Sequence, residues 1–147
     1  MTIFLGADHR GFELKNEIKN WLLTSGYHVE DCGAHVSAQF DDYVDFAKTV
    51  GEKVANGQGG RGIVICGSGA GVDVASNKIN GIRSVLGFNI EQVENARSDD
   101  DVNVLSLAAD FTFFEDAKSL IQTFLNTHYN PTDNHVRRIQ KIKNLEV

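Results

Sequence analysis

The stretch GIVICGSGAGVDVASNK, residues 62–78, decides how this chain folds. Ile63, Val64 and Ile65 form an apolar run of strand length, and the run ends in Cys66. The turn Gly67-Ser68-Gly69-Ala70-Gly71 follows, and a helical pattern begins after it. This order places the Cys66 thiol at the C-terminal end of a buried strand, facing the start of the next helix. Open α/β sheets hold their ligand crevices at such strand ends. Backbone N–H groups and the helix dipole favour an anion there, and the same field lowers a thiol pKa and favours thiolate. A candidate base and an anion cradle therefore lie side by side in Cys66–Gly71.

Outward from this stretch, strand-like and helix-like segments alternate along the chain. Strands are expected at Thr2–Gly6, Tyr27–Cys32, Gly62–Cys66, Arg83–Gly87 and Val102–Leu107. Helices are expected at Phe12–Thr24, Val44–Ala55, Val72–Ile79, Ile90–Arg97 and Phe113–Thr127, with a last helix from Pro131 to about Leu145. Gly57–Gly60 reads as a turn. Phe12, Leu14, Ile18, Trp21 and Leu22 show the helical spacing well, and Ser25-Gly26 ends that helix. Five strands separated by helices imply a parallel sheet covered on both faces, with right-handed crossovers. The loops at Gly6–His9, Cys66–Gly71 and Phe88-Asn89, and the loop after the fifth strand, then gather on one edge.

The bulk numbers narrow the function classes. A chain of 147 residues is expected to form one domain, residues 1–147, with a sizeable core. A net charge of −6 argues against nucleic acid and against an anionic membrane surface. No apolar run approaches the roughly 20 residues that span a bilayer. Cys32 and Cys66 have neither a close pair nor metal-ligand spacing. With no signal-peptide pattern, they suggest a reducing cytoplasm.

The glycine loop has the spacing G-x-G-x-G, not the dinucleotide pattern G-x-G-x-x-G, and no Lys-Ser/Thr follows it. It reads as a small-anion or oxyanion site, or simply as a tight turn. Cys32 reads as structural. Asp8-His9 is either a helix cap with a surface histidine, or a carboxylate and an imidazole in the Cys66 crevice. Asp99-Asp100-Asp101 reads as a solvated loop at a helix exit, which Arg97 can pair with, and no metal is expected there. His135, Arg137, Arg138, Lys141 and Lys143 form the main basic patch, a solvated face or a source of phosphate contacts.

Taken together, these residues resemble the type B ribose-5-phosphate isomerases and the related galactose-6-phosphate isomerase subunits. The pieces that carry the resemblance are GADHRGFELK, DDY at Asp41–Tyr43, GIVICGSGAGVDVASNKINGIRS and NVLSL. The closing YNPTDNHVRRIQKIKNLE is similar to a galactose-6-phosphate isomerase subunit. The resemblance implies a Rossmann-like three-layer α/β/α sandwich with a five-stranded parallel sheet and a C-terminal helix. It implies an aldose-ketose isomerase that needs no cofactor or metal, a homodimer or tetramer with sites at the subunit interface. In that family the cysteine at Cys66 moves the proton between C1 and C2. The hydroxyl at Ser68 assists, and Gly67, Gly69, Ala70 and Gly71 hold the enediolate. Asp8 opens the sugar ring, His9 contacts phosphate, and Tyr43 lines the sugar.

This chain departs from the family at three places. The family usually has Arg-x-His-Asn before the fifth strand; here Arg97, Ser98, Asp99 and Asp100 stand there. Asp99 takes the ring-opening position and Asp100 the substrate-binding one. A phosphate-binding arginine after the fifth strand is Asp110 here. The terminal Arg-His-x-x-Arg becomes Asn134 to Arg138, with Arg138 kept and Asn134 in place of an arginine. Arg137, Arg138 or Lys141 then either takes over the phosphate contact or pairs with Asp110. The expected substrate is ribose 5-phosphate, converted to ribulose 5-phosphate. The alternatives are another sugar, hexose or unphosphorylated, and a partner subunit in a heteromeric galactose-6-phosphate isomerase.

Overall fold

The computed structural model describes residues 1–57 and 59–147. The strands are β1 (Thr2–Ala7), β2 (His28–Asp31), β3 (Arg61–Cys66), β4 (Ser84–Leu86) and β5 (Val104–Ala108). The helices are α1 (Phe12–Thr24), α2 (Tyr43–Asn56), α3 (Ala70–Ser76), α4 (Ile90–Asp100), α5 (Phe114–Asn126) and α6 (Asp133–Lys143). All strand pairs are parallel, in the order β2-β1-β3-β5-β4. The five-stranded parallel sheet expected from the alternation is present, with helices on both faces.

Alternation along the central strands sorts the core. Ile3, Leu5, Ile63, Ile65, Leu105 and Leu107 point to one face and pack on α1, α4 and α5 through Leu14, Ile18, Val93, Ile121 and Phe124. Phe4, Val64, Cys66 and Val104 point to the other and pack on α2 and α3 through Ala47, Val50, Val54 and Val72. Strand side chains alternate with period two, so both faces of a central strand must be apolar when helices cover both. The helix α6 lies outside this frame, packed against α4, with Ile139 as its buried residue.

The topology creates the crevice. After β3 the chain turns to the α2/α3 face. After its two neighbours, β1 and β5, it turns to the opposite face. Loops that diverge from adjacent strands leave an opening between them, and ligands of open α/β sheets bind there. The opening lies directly above Cys66.

Several boundaries differ from the expected ones. The helix expected at Val72–Ile79 is Ala70–Ser76, because Gly69 turns the chain early at φ +73°. The fourth strand shrinks to Ser84–Leu86, and the fifth begins at Val104, leaving Val102 buried outside the sheet. The acidic run expected as a loop instead finishes a helix. Asp99 and Asp100 are the last residues of α4, and Asp101 caps it at φ +48°. Asp101 Oδ1 accepts from Arg97 and Oδ2 from Arg83, each at 2.9 Å, which ties the helix end down. The expected Gly57–Gly60 turn includes residue 58, which lies outside the described residues.

Candidate active site

Cys66 ends β3 and is 4% exposed, seated among Val64 and Val72. Gly67 follows it, and Ser68 is exposed at the tip of the turn. Ser68 Oγ accepts from the Ala70 N–H at 3.4 Å, closing the turn into α3. Gly69 must be glycine. Its φ is +73°, and a Cβ there would lie 2.9 Å from the Leu107 carbonyl carbon and 3.0 Å from the Ala108 nitrogen. The loop is thereby pressed onto the end of β5, with the Ala109 N–H donating to the Cys66 carbonyl at 2.9 Å. Gly71 lies under the Tyr43 ring, 2.7 Å from a Cβ built there. Tyr43 opens α2, so this contact joins the second helix to the loop. Tyr43, Ala70 and Gly71 border a hollow of about 470 Å³.

Across the opening, Asp8 follows β1 and is buried. Its Oδ1 accepts from the N–H groups of Arg10 and Gly11, at 3.0 and 3.1 Å. The Asp8 N–H reaches the Ile65 carbonyl at 3.3 Å, one residue from Cys66. The capping and crevice readings of Asp8 therefore describe the same residue: it shapes the turn into α1 and stands beside β3. Gly11 allows the approach, since a Cβ there would meet Ile65 at 2.8 Å.

His9 is held from a third element. Both its backbone N–H, at 3.0 Å, and its Nδ1, at 2.7 Å, meet Asp41 Oδ1. Asp41 Oδ2 is buried and has no hydrogen-bond partner. Asp41 is the residue that sequence reasoning missed. It stood in the quoted DDY stretch, yet only a fold joining positions 9 and 41 reveals its role. Asp8, His9 and Asp41 are the one trio of His, Cys, Asp or Glu side chains among the described residues whose ligand atoms fall within 4.8 Å of one another. The Asp41 oxygen nearest His9 is already committed to it.

Asp110 does not pair with the C-terminal basic patch. Its partner is Arg10, which follows β1. The Arg10–Asp110 ion pair crosses the top of β3, and a Cβ at Gly67 would collide with the Arg10 guanidinium. Nothing in the local sequence marks this pair, since its members are a hundred residues apart.

The remaining site candidates fall elsewhere. Asp99 and Asp100 end α4 at the N-terminal edge of the sheet, next to the start of β5. Cys66 pairs in register with Ala108 at the other end of that strand, a separation on the order of 15 Å at the usual strand rise. Asn134 and Arg138 lie exposed on α6. Here His135 Nε2 comes within 3.6 Å of Asp99 Oδ1, and the Asn130 N–H donates to the Ser98 carbonyl at 2.9 Å. Within one chain there are thus two clusters. One is Asp8, His9, Asp41, Tyr43 and the Cys66–Gly71 loop. The other is Asp99, Asp100, Asn134 and Arg138. Cys32 belongs to neither; burial, with the Glu30 charge adding to it, pushes its thiol up to about 11.

The first cluster can do proton chemistry on a carbonyl compound. It offers a sulfur base, a hydroxyl, a glycine loop rich in N–H groups and a half-buried acid–imidazole pair. The comparisons with known proteins agree in class. The family described as Ribose/Galactose Isomerase matches residues 3–142. The probable ribose-5-phosphate isomerase B of Mycoplasma genitalium is 37% identical over 142 residues, covering 96% of this chain and 93% of that protein. The Escherichia coli ribose-5-phosphate isomerase B is 35% identical over 144 residues, covering 98% and 95%. The solved Mycoplasma genitalium enzyme, with bound ribulose 5-phosphate, superposes with a TM-score of 0.93 at 36% identity, over 98% of this chain and 95% of that one. The Clostridium thermocellum ribose-5-phosphate isomerase B gives 0.94 at 36%, over 99% and 97%. Because the likeness runs through β1, the cysteine loop and α6 alike, this chain belongs to the ribose/galactose isomerase family.

Proposed function

We propose that this protein interconverts ribose 5-phosphate and ribulose 5-phosphate. The observation that carries this reading is the position of Cys66: it ends the central strand beneath the opening, with the glycine loop on one side and Asp8 and His9 on the other. In the reaction, Asp8 takes the O1 hydroxyl proton as the C1–O4 bond of the sugar ring breaks, and returns a proton to the ring oxygen O4, so that it ends as it began. Cys66, as thiolate, removes the C2 proton of the open aldose. The electrons move into a C1–C2 double bond, and the carbonyl oxygen becomes an enediolate oxygen. N–H groups of Gly67–Gly71 stabilise that charge; loss of one such donor typically costs about 2.7–4 kcal/mol of barrier. Cys66 returns the proton to C1, and Ser68 relays the hydroxyl proton from O2 to O1. The ketose results with no net gain or loss of protons or electrons.

The two clusters support a homodimer in which one subunit supplies the Cys66 side of a site and the other supplies Asp99, Asp100, Asn134 and Arg138. Exposed aromatic side chains support the same assembly. Phe88, Phe111 and Phe113, which follow β4 and β5, are 74%, 80% and 83% exposed, and solvated apolar surface of this kind favours a partner. Among the described residues no helix is long and apolar enough to cross a membrane. Both cysteines are free, which supports a cytoplasmic location, where thiols stay reduced.

The test is proton NMR of ribose 5-phosphate with the protein in D2O. Ribulose 5-phosphate should form, and deuterium should enter C2 of the aldose pool. Cys66→Ala should lose both, by at least about a thousandfold. Turnover that survives in Cys66→Ala would remove Cys66 from the mechanism.

A further inference from the structure

The ion pair above β3 has no role in the chemistry just described. Arg10 follows β1 and Asp110 follows β5, so the pair spans the central strand at the mouth of the crevice. Both ends are fixed against the cysteine loop. The Asp110 N–H donates to the Gly67 carbonyl at 3.0 Å. On the Arg10 side, Cζ, Nε and Nη1 lie over the Cα of Gly67, the residue after Cys66. The pair is not buried: the side chains are 55% and 35% exposed.

A guanidinium carries five N–H donors in a planar fork. Here Nη2 meets Asp110, and Nε and Nη1 remain above the loop. No other arginine of the chain stands at this edge. Arg61 begins β3, Arg83 precedes β4 and Arg97 lies in the last turn of α4, all at the opposite edge; Arg137 and Arg138 lie on α6. Lys15 is fully buried and taken by Asp31 and the Ala34 carbonyl. The neighbouring His9 has its Nδ1 taken by Asp41. Lys48 on α2 and Lys118 on α5 are paired with Glu52 and Glu115, which leaves Arg10, beside the Cys66 loop, with donors for an anion. The chain carries a net charge of −6, so a dianionic substrate needs such a local cation.

We propose that Arg10 is the residue of the Cys66 subunit that binds the phosphate of the substrate, and that Asp110 orients its guanidinium and competes for it. This rests on the sugar-phosphate isomerase reading. A guanidinium fork matches phosphate oxygens in two-point contact. A carboxylate already on one nitrogen fixes the direction of the fork before substrate arrives. It also offsets part of the charge, so phosphate affinity is set by the balance between the two anions.

The test uses the full-length protein, with inorganic phosphate as the probe and ³¹P NMR titration as the readout, alongside ribose 5-phosphate kinetics. Arg10→Gln should weaken phosphate binding at least about tenfold and raise KM similarly, with kcat changed far less. Asp110→Asn should tighten phosphate binding, since the competing charge is gone, and should steepen its salt dependence. Circular dichroism melts establish that both variants fold. Unchanged phosphate affinity in Arg10→Gln, or no affinity in the wild type, overturns the proposal. A wild type that binds phosphate through Arg10 yet forms no ketose overturns the isomerase reading and leaves the Arg10 assignment standing.

Discussion

At Gly69 one residue sets the shape of the loop. A left-handed backbone costs an L-residue roughly 1–2 kcal/mol, and here a Cβ would also meet Leu86 Cδ1 at 2.5 Å and the β5 backbone. Gly69→Ala should lower the unfolding free energy by about 2 kcal/mol or more and should lift the loop off β5. A urea midpoint equal to that of the wild type would show that the loop is not held in this way. Both the glycine and its reason were readable in sequence, because a strand that turns at once into a helix demands small residues. The same holds for Cys66, whose strand-end position follows from the apolar run before it. Asp41 and Arg10 were not readable. Each acts through a partner, His9 and Asp110, brought near only by the sheet order.

Elements are held in place by a charged group that looks out of place in sequence. Lys15 is 0% exposed in α1. Its Nζ donates to Asp31 Oδ1 at 2.8 Å and to the Ala34 carbonyl at 2.6 Å. The stretch it grips is laddered onto the end of β1, with the Ala7 N–H on the Gly33 carbonyl and the Ala34 N–H on the Ala7 carbonyl. Lys15 therefore sets where Asp8 begins. Lys15→Met leaves a buried carbonyl without its donor and Asp31 with only part of its compensation, at a cost of about 3–5 kcal/mol. Burial alone would push the Asp31 carboxyl up, but hydrogen bonds from Lys15, Lys19 and the Gly33 N–H more than offset this and hold it at about 2, against an ordinary 3.8. A carboxyl depressed on folding stabilises the protein above its unfolded value, and that contribution fades as pH falls from about 4 towards 2. Asp31→Asn should be less stable at neutral pH, and its melting temperature should change less than that of the wild type across that window. Parallel acid curves for the two proteins would show that Asp31 contributes nothing. Strand and helix positions were legible from periodicity, but the order β3-β5-β4 was not. No local signal says that β5 inserts between its predecessors. The end of α4 was missed because Ser98-Asp99-Asp100 has no apolar period; Arg97 and Arg83 hold it through Asp101.

On the proposed reading, the whole molecule presents half a site at each end of its sheet. A strand the length of β5 separates Asp99 from the level of Cys66, so one chain alone cannot bring the two clusters onto one small sugar. The proposed twofold dimer would repair this, because each contact made by one subunit would be made in return by the other. The consequence is measurable with two damaged chains. Cys66→Ala removes the proposed base from one cluster, and Arg138→Glu reverses a charge in the other. Each homodimer should be nearly inactive, since both of its sites carry the defect. In a mixed dimer both defects fall in one site and the other site is intact. Random reassortment makes half of the dimers mixed, each with one working site of two, so co-refolding equal amounts should restore about a quarter of wild-type activity. If each site is instead built within one chain, every site in the mixture keeps a defect. Mixing then returns no more than the average of the two residual activities, and the shared-site dimer is excluded.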